Sequence, residues 1–246
     1  VIDKSIQAIK SGVISPENAI RSAIRELSNS GLRLQWESGY SQRLDSAVRR
    51  NILDGVRALN QQMQKEIGKQ INADGVELSA HANSAQDHEP FQGHIFKIKE
   101  WEKLQDGGDF EDINGQSFSG VERAIGMWNC NHFPTYIVIG AKKPKYTQEQ
   151  LDKFIEDNQK GYTTKNGKHL TMYECSQYQR KLETKIRYAK DNQIAFRNAG
   201  DMQEARKYQA SVNRYMGQYQ AFSKACGLAT KINRTRVTGY NKIKTE

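Results

Sequence analysis

The chain is predicted to be α+β and mainly α, with long amphipathic N-terminal helices, a small acidic α+β central module, and a C-terminal β-hairpin followed by a long antiparallel helical hairpin. Three observations predict this. Apolar residues recur every three or four positions over two long stretches, as one buried helix face requires. Residues 74–141 lose that period, gain glycine and aromatics, and carry 11 acidic residues against 4 basic ones. The net charge of +9 divides into −3 for residues 1–141 and +12 for residues 142–246. Three segments follow: 1–73, 74–141 and 142–246.

In the N-terminal segment, Ser15 followed by Pro16 and Glu17 reads as an N-cap with proline at the first helical position, and Ile20, Ala23, Ile24 and Leu27 continue one apolar face up to Gly31. A longer helix follows, in which Leu44, Val48, Ile52, Val56, Leu59, Met63 and Ile67 are spaced 4, 4, 4, 3, 4 and 4. Arg49 and Arg50 lie on its polar face and read as solvated charge rather than as phosphate contacts.

The central segment is read as two strands, 94–98 and 135–139, separated by the glycine-rich loop 106–120. In the C-terminal segment Thr147 with Gln150 caps a short helix, and Asn166-Gly167 is the two-residue turn of a β-hairpin that serves as a projection or docking arm. Thr171 and Glu174 have capping-box spacing and open a helix from about Tyr173 to Arg197. After the break at 198–201, Ala205, Tyr208, Val212, Tyr215, Tyr219, Phe222 and Cys226 form a heptad seam that faces Tyr178, Leu182, Ile186 and Ala189. The candidate nucleic-acid or partner contacts of this basic segment are Arg180, Lys181, Arg187, Arg206, Lys207 and Arg214. Their interleaving with tyrosine resembles a single-strand stacking surface, but heptad spacing commits the seam tyrosines to packing.

Composition narrows the function. A chain of 246 residues with 37% apolar content and strongly negative mean hydropathy suits an elongated helical protein better than a compact enzyme. Cys130, Cys175 and Cys226 are too few and scattered for a disulfide framework, so a reducing compartment is expected. The longest apolar run, 136–141, is far short of the roughly 20 residues of a membrane helix, and the N-terminus lacks signal-peptide order, so a soluble protein with no membrane partner is expected. The chain begins at Val1 rather than methionine, as expected of a fragment or processed product.

The densest chemistry lies in SAHANSAQDHEPFQGHIF, residues 79–96, and WNCNH, residues 128–132. Three readings are open. His81, His88, Cys130 and His132 offer a tetrahedral N/S set for zinc, with the two-residue spacing of Cys130 and His132 placing both on one face of extended chain. Alternatively, Cys130 is a nucleophile with a histidine base. In the third reading, favoured on the spacing, these polar groups hydrogen-bond among themselves and to backbone, tying down a module too small to be held by apolar packing alone. Gln92, Gly93, Trp128 and Asn129 are then structural motif residues.

These two runs resemble the phage minor capsid protein 2 family and, more distantly, Mu F-like head morphogenesis proteins. The similarity extends upstream through NAIRSAIRELSNSGLRLQWESGYSQRLDSAVRRNI and downstream through YECSQYQRKLETKIRYAKDN and QAFSKACGLATKINRTRVTG. Two positions depart from the family pattern: Gln86-Asp87 stands where many relatives have Arg-Pro, and Asn131 where many have arginine. The resemblance implies a phage head protein, present in the virion and in host cytoplasm during assembly. It implies association with portal protein or inner capsid in multiple copies, contact with packaged DNA as an alternative, and no known reaction. No cofactor is implied; zinc enters only through the four residues above.

Overall fold

This computed structural model describes residues 2–16, 18–19, 33–35, 37, 41–121, 123–127, 130–198 and 200–244, and its contacts group into two units. The first unit is Val1–His81 with Ala85–Asp152, and the second is Ala82–Ser84 with Lys153–Glu246. No described helix is long and apolar enough to cross a membrane.

In the first unit, helix α1 (Ile2–Lys10) packs against α2 (Leu44–Gln70), and strands β1 (Arg33–Gln35) and β2 (Ser41–Arg43) pair antiparallel between them in sequence. Helix α1 lies ahead of the first helix expected from the sequence, and its Ile2, Ile6 and Ile9 recur four and three residues apart on one face. The expected N-cap at Ser15 is present, with its hydroxyl accepting the Asn18 N–H, but most of the helix expected up to Gly31 lies outside the described residues.

Helix α2 occupies the predicted span, yet its apolar stripe is not buried along its whole length. Val48 and Ile52 are fully buried beside Ile9, whereas Met63 and Ile67 are exposed. The cause is angular. A helix turns about 100° per residue, so each four-residue step overshoots a full turn by about 40°, and by Ile67 the stripe has wound about 100° away from Val48. Near its C-terminal end the helix meets the sheet through Gly68, where an added Cβ would lie 2.7 Å from the Tyr136 ring.

The sheet of this unit has three antiparallel strands in the order β4 (Ile95–Lys97), β3 (Gly75–Leu78) and β7 (Pro134–Ile137), with Val76 opposite both Phe96 and Tyr136. The two strands expected from the sequence are therefore the edges, and the central one is new. Helix α3 (Ile98–Gln105) follows β4 directly and buries Trp101 and Leu104. The glycine-rich loop holds a two-residue ladder, β5 (Phe110–Glu111) with β6 (Ser117–Phe118). Val76, Leu78, Phe91, Phe96, Trp101, Leu104, Phe110 and Ile125 form one apolar core, with Phe91 meeting Phe110 edge to face at 5.1 Å. This core accompanies the polar network expected from the sequence, in a module expected to be too small for apolar packing alone. Its aromatics come from short, aperiodic segments that fold onto one point, which no period reveals.

In the second unit, α4 (Gln148–Lys160), whose first residues belong to the other unit, starts as expected. Thr147 and Gln150 cap it reciprocally. Strands β8 (Tyr162–Thr163) and β9 (His169–Leu170) form the hairpin, but its loop has three residues, 165–167, with Gly167 at φ +79°. The hairpin does not project as an arm at its base: Leu170 is buried with Cys175 and Cys226, and Tyr162 packs on Phe222.

Helices α5 (Met172–Asn198) and α6 (Met202–Ala225) form the predicted antiparallel pair. Thr171 and Glu174 exchange the capping-box bonds, Gly200 takes φ +81°, and Asp201 caps α6 by accepting the Glu204 N–H. The seam residues Ala205, Val212, Tyr219 and Cys226 are buried, as are Leu182, Ile186 and Ala189 on α5, and Tyr219 packs against Leu182 and Ile186. Pairs Gln179–Ser223, Glu183–Tyr219 and Phe196–Tyr208 fix the register. After α6 the chain returns along the hairpin. Arg187 and Lys190 donate to the carbonyls of Arg234 and Thr235 at 2.7 and 2.8 Å, and Gln193 donates to that of Asn241 at 3.1 Å.

Candidate functional site

His88 is positioned by a tight turn, its N–H donating to the Ala85 carbonyl at 2.9 Å just before a 3-10 helix, Glu89–Phe91. Pro90 suits the opening of that helix because its missing N–H would have no partner there. Gln92 follows in extended conformation, and Gly93 takes φ +77° with no room for a side chain, since a Cβ would meet Leu151 Cδ2 at 2.3 Å. In the segment ahead of β7, Cys130 is held by its N–H donating to Met127 O at 2.9 Å, and His132 lies two residues on.

These segments bring His88, Cys130 and His132 together with exposures of 1%, 4% and 2%. Cys130 Sγ lies 3.4 Å from His88 Nδ1 and 3.3 Å from His132 Nδ1, and the ligand atoms of all three residues fall within 4.8 Å of one another. His132 also donates its backbone N–H to Cys130 Sγ at 3.4 Å. The outer ring nitrogens are engaged as well: His88 Nε2 is 2.9 Å from the Arg123 carbonyl, and His132 Nε2 is 3.2 Å from Gln92 Oε1. Gln92 Oε1 in addition accepts the His81 N–H at 2.9 Å.

Burial dominates the electrostatics. It lowers the pKa of His88 and pushes that of His132 down to about 2, with further lowering at His132 from neighbouring His81 and His88. Burial also raises the Cys130 thiol pKa. At neutral pH the three groups are two neutral imidazoles and a thiol, a poor arrangement for a nucleophile, which needs its thiolate.

Of the four residues predicted to bind metal, three converge. His81 stands beside them, its ring stacked on that of His132 at a centroid distance of 4.4 Å. The remaining histidine of the motif, His94, is used elsewhere: its Nδ1 pairs with Asp112 at 2.8 Å. Gln92 and Gly93 have the structural roles given above, while Trp128 and Asn129 lie outside the described residues. The sequence reading missed Arg123, which contributes its carbonyl to His88 and its guanidinium to Asp87 at 2.7 Å. It also missed Arg57 and Gln61 of α2, which donate to Asn131 Oδ1 at 3.0 Å and to the Ile125 carbonyl at 2.7 Å. The only advance signal for these was their shared place on one helix.

The basic candidates of the second unit behave differently from one another. Arg187 is engaged with the returning C-terminal segment, Lys207 pairs with Glu204, and Arg214 reaches the Tyr215 hydroxyl while stacking on that ring at 4.9 Å. Lys181, Arg206, Lys207 and Arg214 are exposed, and Arg180 is half-buried.

A family described as phage minor capsid protein 2 matches residues 1–224 of the 246-residue chain. The chain belongs to that family. Membership gives this minor capsid protein a structural role in the phage head and a place in the virion. Among curated proteins and solved structures, nothing matches it.

Proposed function

We propose that this minor capsid protein docks side-on against a protein wall of the phage head, the portal or the inner capsid, through its helices, and takes part in head assembly in multiple copies. The observation that supports this reading is the exposed apolar row along the end of α2 and its C-cap, where Met63, Ile67 and Ile71 follow one another at four-residue intervals with 54%, 45% and 46% of their surface open. Three large apolar side chains in one row lose water favourably against another protein surface. The buried, neutral character of the His88, Cys130 and His132 cluster supports architecture rather than catalysis at that site. A triple Met63→Lys, Ile67→Lys, Ile71→Lys protein tests the proposal. Helical content should be unchanged, because these positions are solvated, while incorporation into purified heads should fall sharply. Undiminished incorporation would sink the reading.

A second reading rests on the +12 charge of residues 142–246: the C-terminal helices contact packaged DNA through Lys181, Arg206 and Arg214. It requires duplex affinity that declines steeply with salt. The engagement of Arg187, Lys190 and Arg197 with backbone carbonyls of residues 234–239 weakens it, because those cations already serve the fold.

A further inference from the structure

His88, Cys130 and His132 offer three of the four ligands of a tetrahedral metal site, their ligand atoms lying within 4.8 Å of one another. The Arg123 carbonyl 2.9 Å from His88 Nε2 can only accept, so that nitrogen carries the ring hydrogen and the lone pair of the neutral imidazole sits on Nδ1, facing Cys130 Sγ. Gln92 is fixed in orientation because its Oε1 accepts the His81 backbone N–H, and the same oxygen faces His132 Nε2. His132 therefore also donates from Nε2 and also turns an Nδ1 lone pair toward Cys130 Sγ. Two imidazole lone pairs thus converge on one sulfur. A divalent cation accepts all three donor atoms at once.

We propose that His88 Nδ1, Cys130 Sγ and His132 Nδ1 bind one zinc-class divalent ion that locks the segment after β3 to the segment before β7. With Zn–S of about 2.3 Å and Zn–N of about 2.0–2.1 Å, tetrahedral coordination requires N···S separations of about 3.5 Å. The two N···S separations here are 3.4 and 3.3 Å, each within a few tenths of an ångström of that requirement. A thiolate with two imidazoles selects a zinc-type ion over magnesium or calcium, which take oxygen ligands. The surroundings fit such a site. Each imidazole has its far nitrogen held by an oxygen acceptor, the arrangement that orients metal-bound histidines, and all three ligands are shut away from solvent. On binding, the Cys130 proton leaves to solvent and the thiolate takes its place on the metal, so one proton is released per ion bound.

The test uses the whole chain, purified without chelator, dialysed with zinc and then freed of excess. Elemental analysis should find one zinc per chain. Cobalt substituted for zinc should give the visible bands of a tetrahedral site and a thiolate-to-cobalt charge-transfer band, which reports sulfur ligation without any variant. Cys130→Ala and His132→Ala should abolish both signals, while Cys175→Ser and His169→Ala, which alter the thiol and histidine content elsewhere, should retain them. Absence of bound zinc in the wild-type chain, or retention of the thiolate band in Cys130→Ala, would overturn the proposal.

Discussion

The buried phenol oxygen of Tyr219 accepts the backbone N–H of Lys231 at 2.6 Å and donates to Glu183 at 3.2 Å. One hydroxyl thus joins the two hairpin helices to the returning C-terminal segment. Tyr219→Phe leaves the Lys231 N–H and a Glu183 oxygen without that partner, so it should cost about 1–3 kcal/mol. Hydrogen exchange should locate the effect: residues 227–235 should lose protection before α5 and α6 do. Uniform loss of protection across the hairpin would contradict a local tie.

Gly68 and Tyr136 predict a second effect. Any side chain at residue 68 enters the volume of the Tyr136 ring, with contact distances of 2.7–2.8 Å for the first carbon alone. Gly68→Ala favours the helix by about 1 kcal/mol in propensity, but overpacking costs about 1–3 kcal/mol. The net expectation is destabilisation, and Gly68→Val should be worse. Pairing Gly68→Ala with Tyr136→Ala should relieve the clash, so the double variant should be more stable than the two single losses summed. Chemical denaturation of the four proteins gives the cycle, and strict additivity would argue against the contact.

How far the sequence announces this structure depends on how each element is stabilised. The α5–α6 hairpin is legible because its seam alternates three and four, which holds a stripe on one side of a helix, and the buried residues Leu182, Ile186, Val212 and Tyr219 fall on it. The stripe of α2 is legible as helix but not as an interface, since repeated four-residue steps rotate Met63 and Ile67 out of line with Val48. Strand β3 is hidden because Glu77, which reads as solvated, is buried and paired with Lys142 at 2.9 Å. In the site, the histidines and Cys130 stand out by residue type. Arg123 does not, because what it gives His88 is a main-chain carbonyl that any residue possesses.

Asp112 sets an acid limb. Burial alone would raise its pKa, but the His94 hydrogen bond and the N–H groups of Gln116 and Asn114 outweigh burial and hold the carboxyl below its usual range. A folded pKa below the unfolded value of about 3.9 means that the contribution is full above that pH and is lost as pH falls through the folded pKa. Asp112→Asn should therefore lower stability at pH 7 by about 1–3 kcal/mol. Its stability should also fall less steeply than the wild type's between about pH 4 and pH 2. Urea midpoints measured over that range should converge for the two proteins; parallel curves would remove Asp112 as the titrating group.

The thiols should be silent in the native protein. Burial raises the pKa of Cys175 and pushes that of Cys226 up to about 12, where the neighbouring Cys175 thiol adds to the effect, and burial likewise raises that of Cys130. At pH 8 a thiol with a pKa near 12 is ionised in roughly one molecule in 10,000, and the thiolate is the reactive species. Cys226 is also closed off by Leu170, Tyr162 and Phe222. Alkylation of the native chain at pH 8 should then proceed only as fast as local or global opening exposes these groups, while all three should label rapidly in guanidinium with chelator. Mass spectrometry with peptide mapping reads both. A fast, stoichiometric native label on Cys226 would show that the packing of the β8–β9 hairpin against the base of α5 and α6 is open in solution.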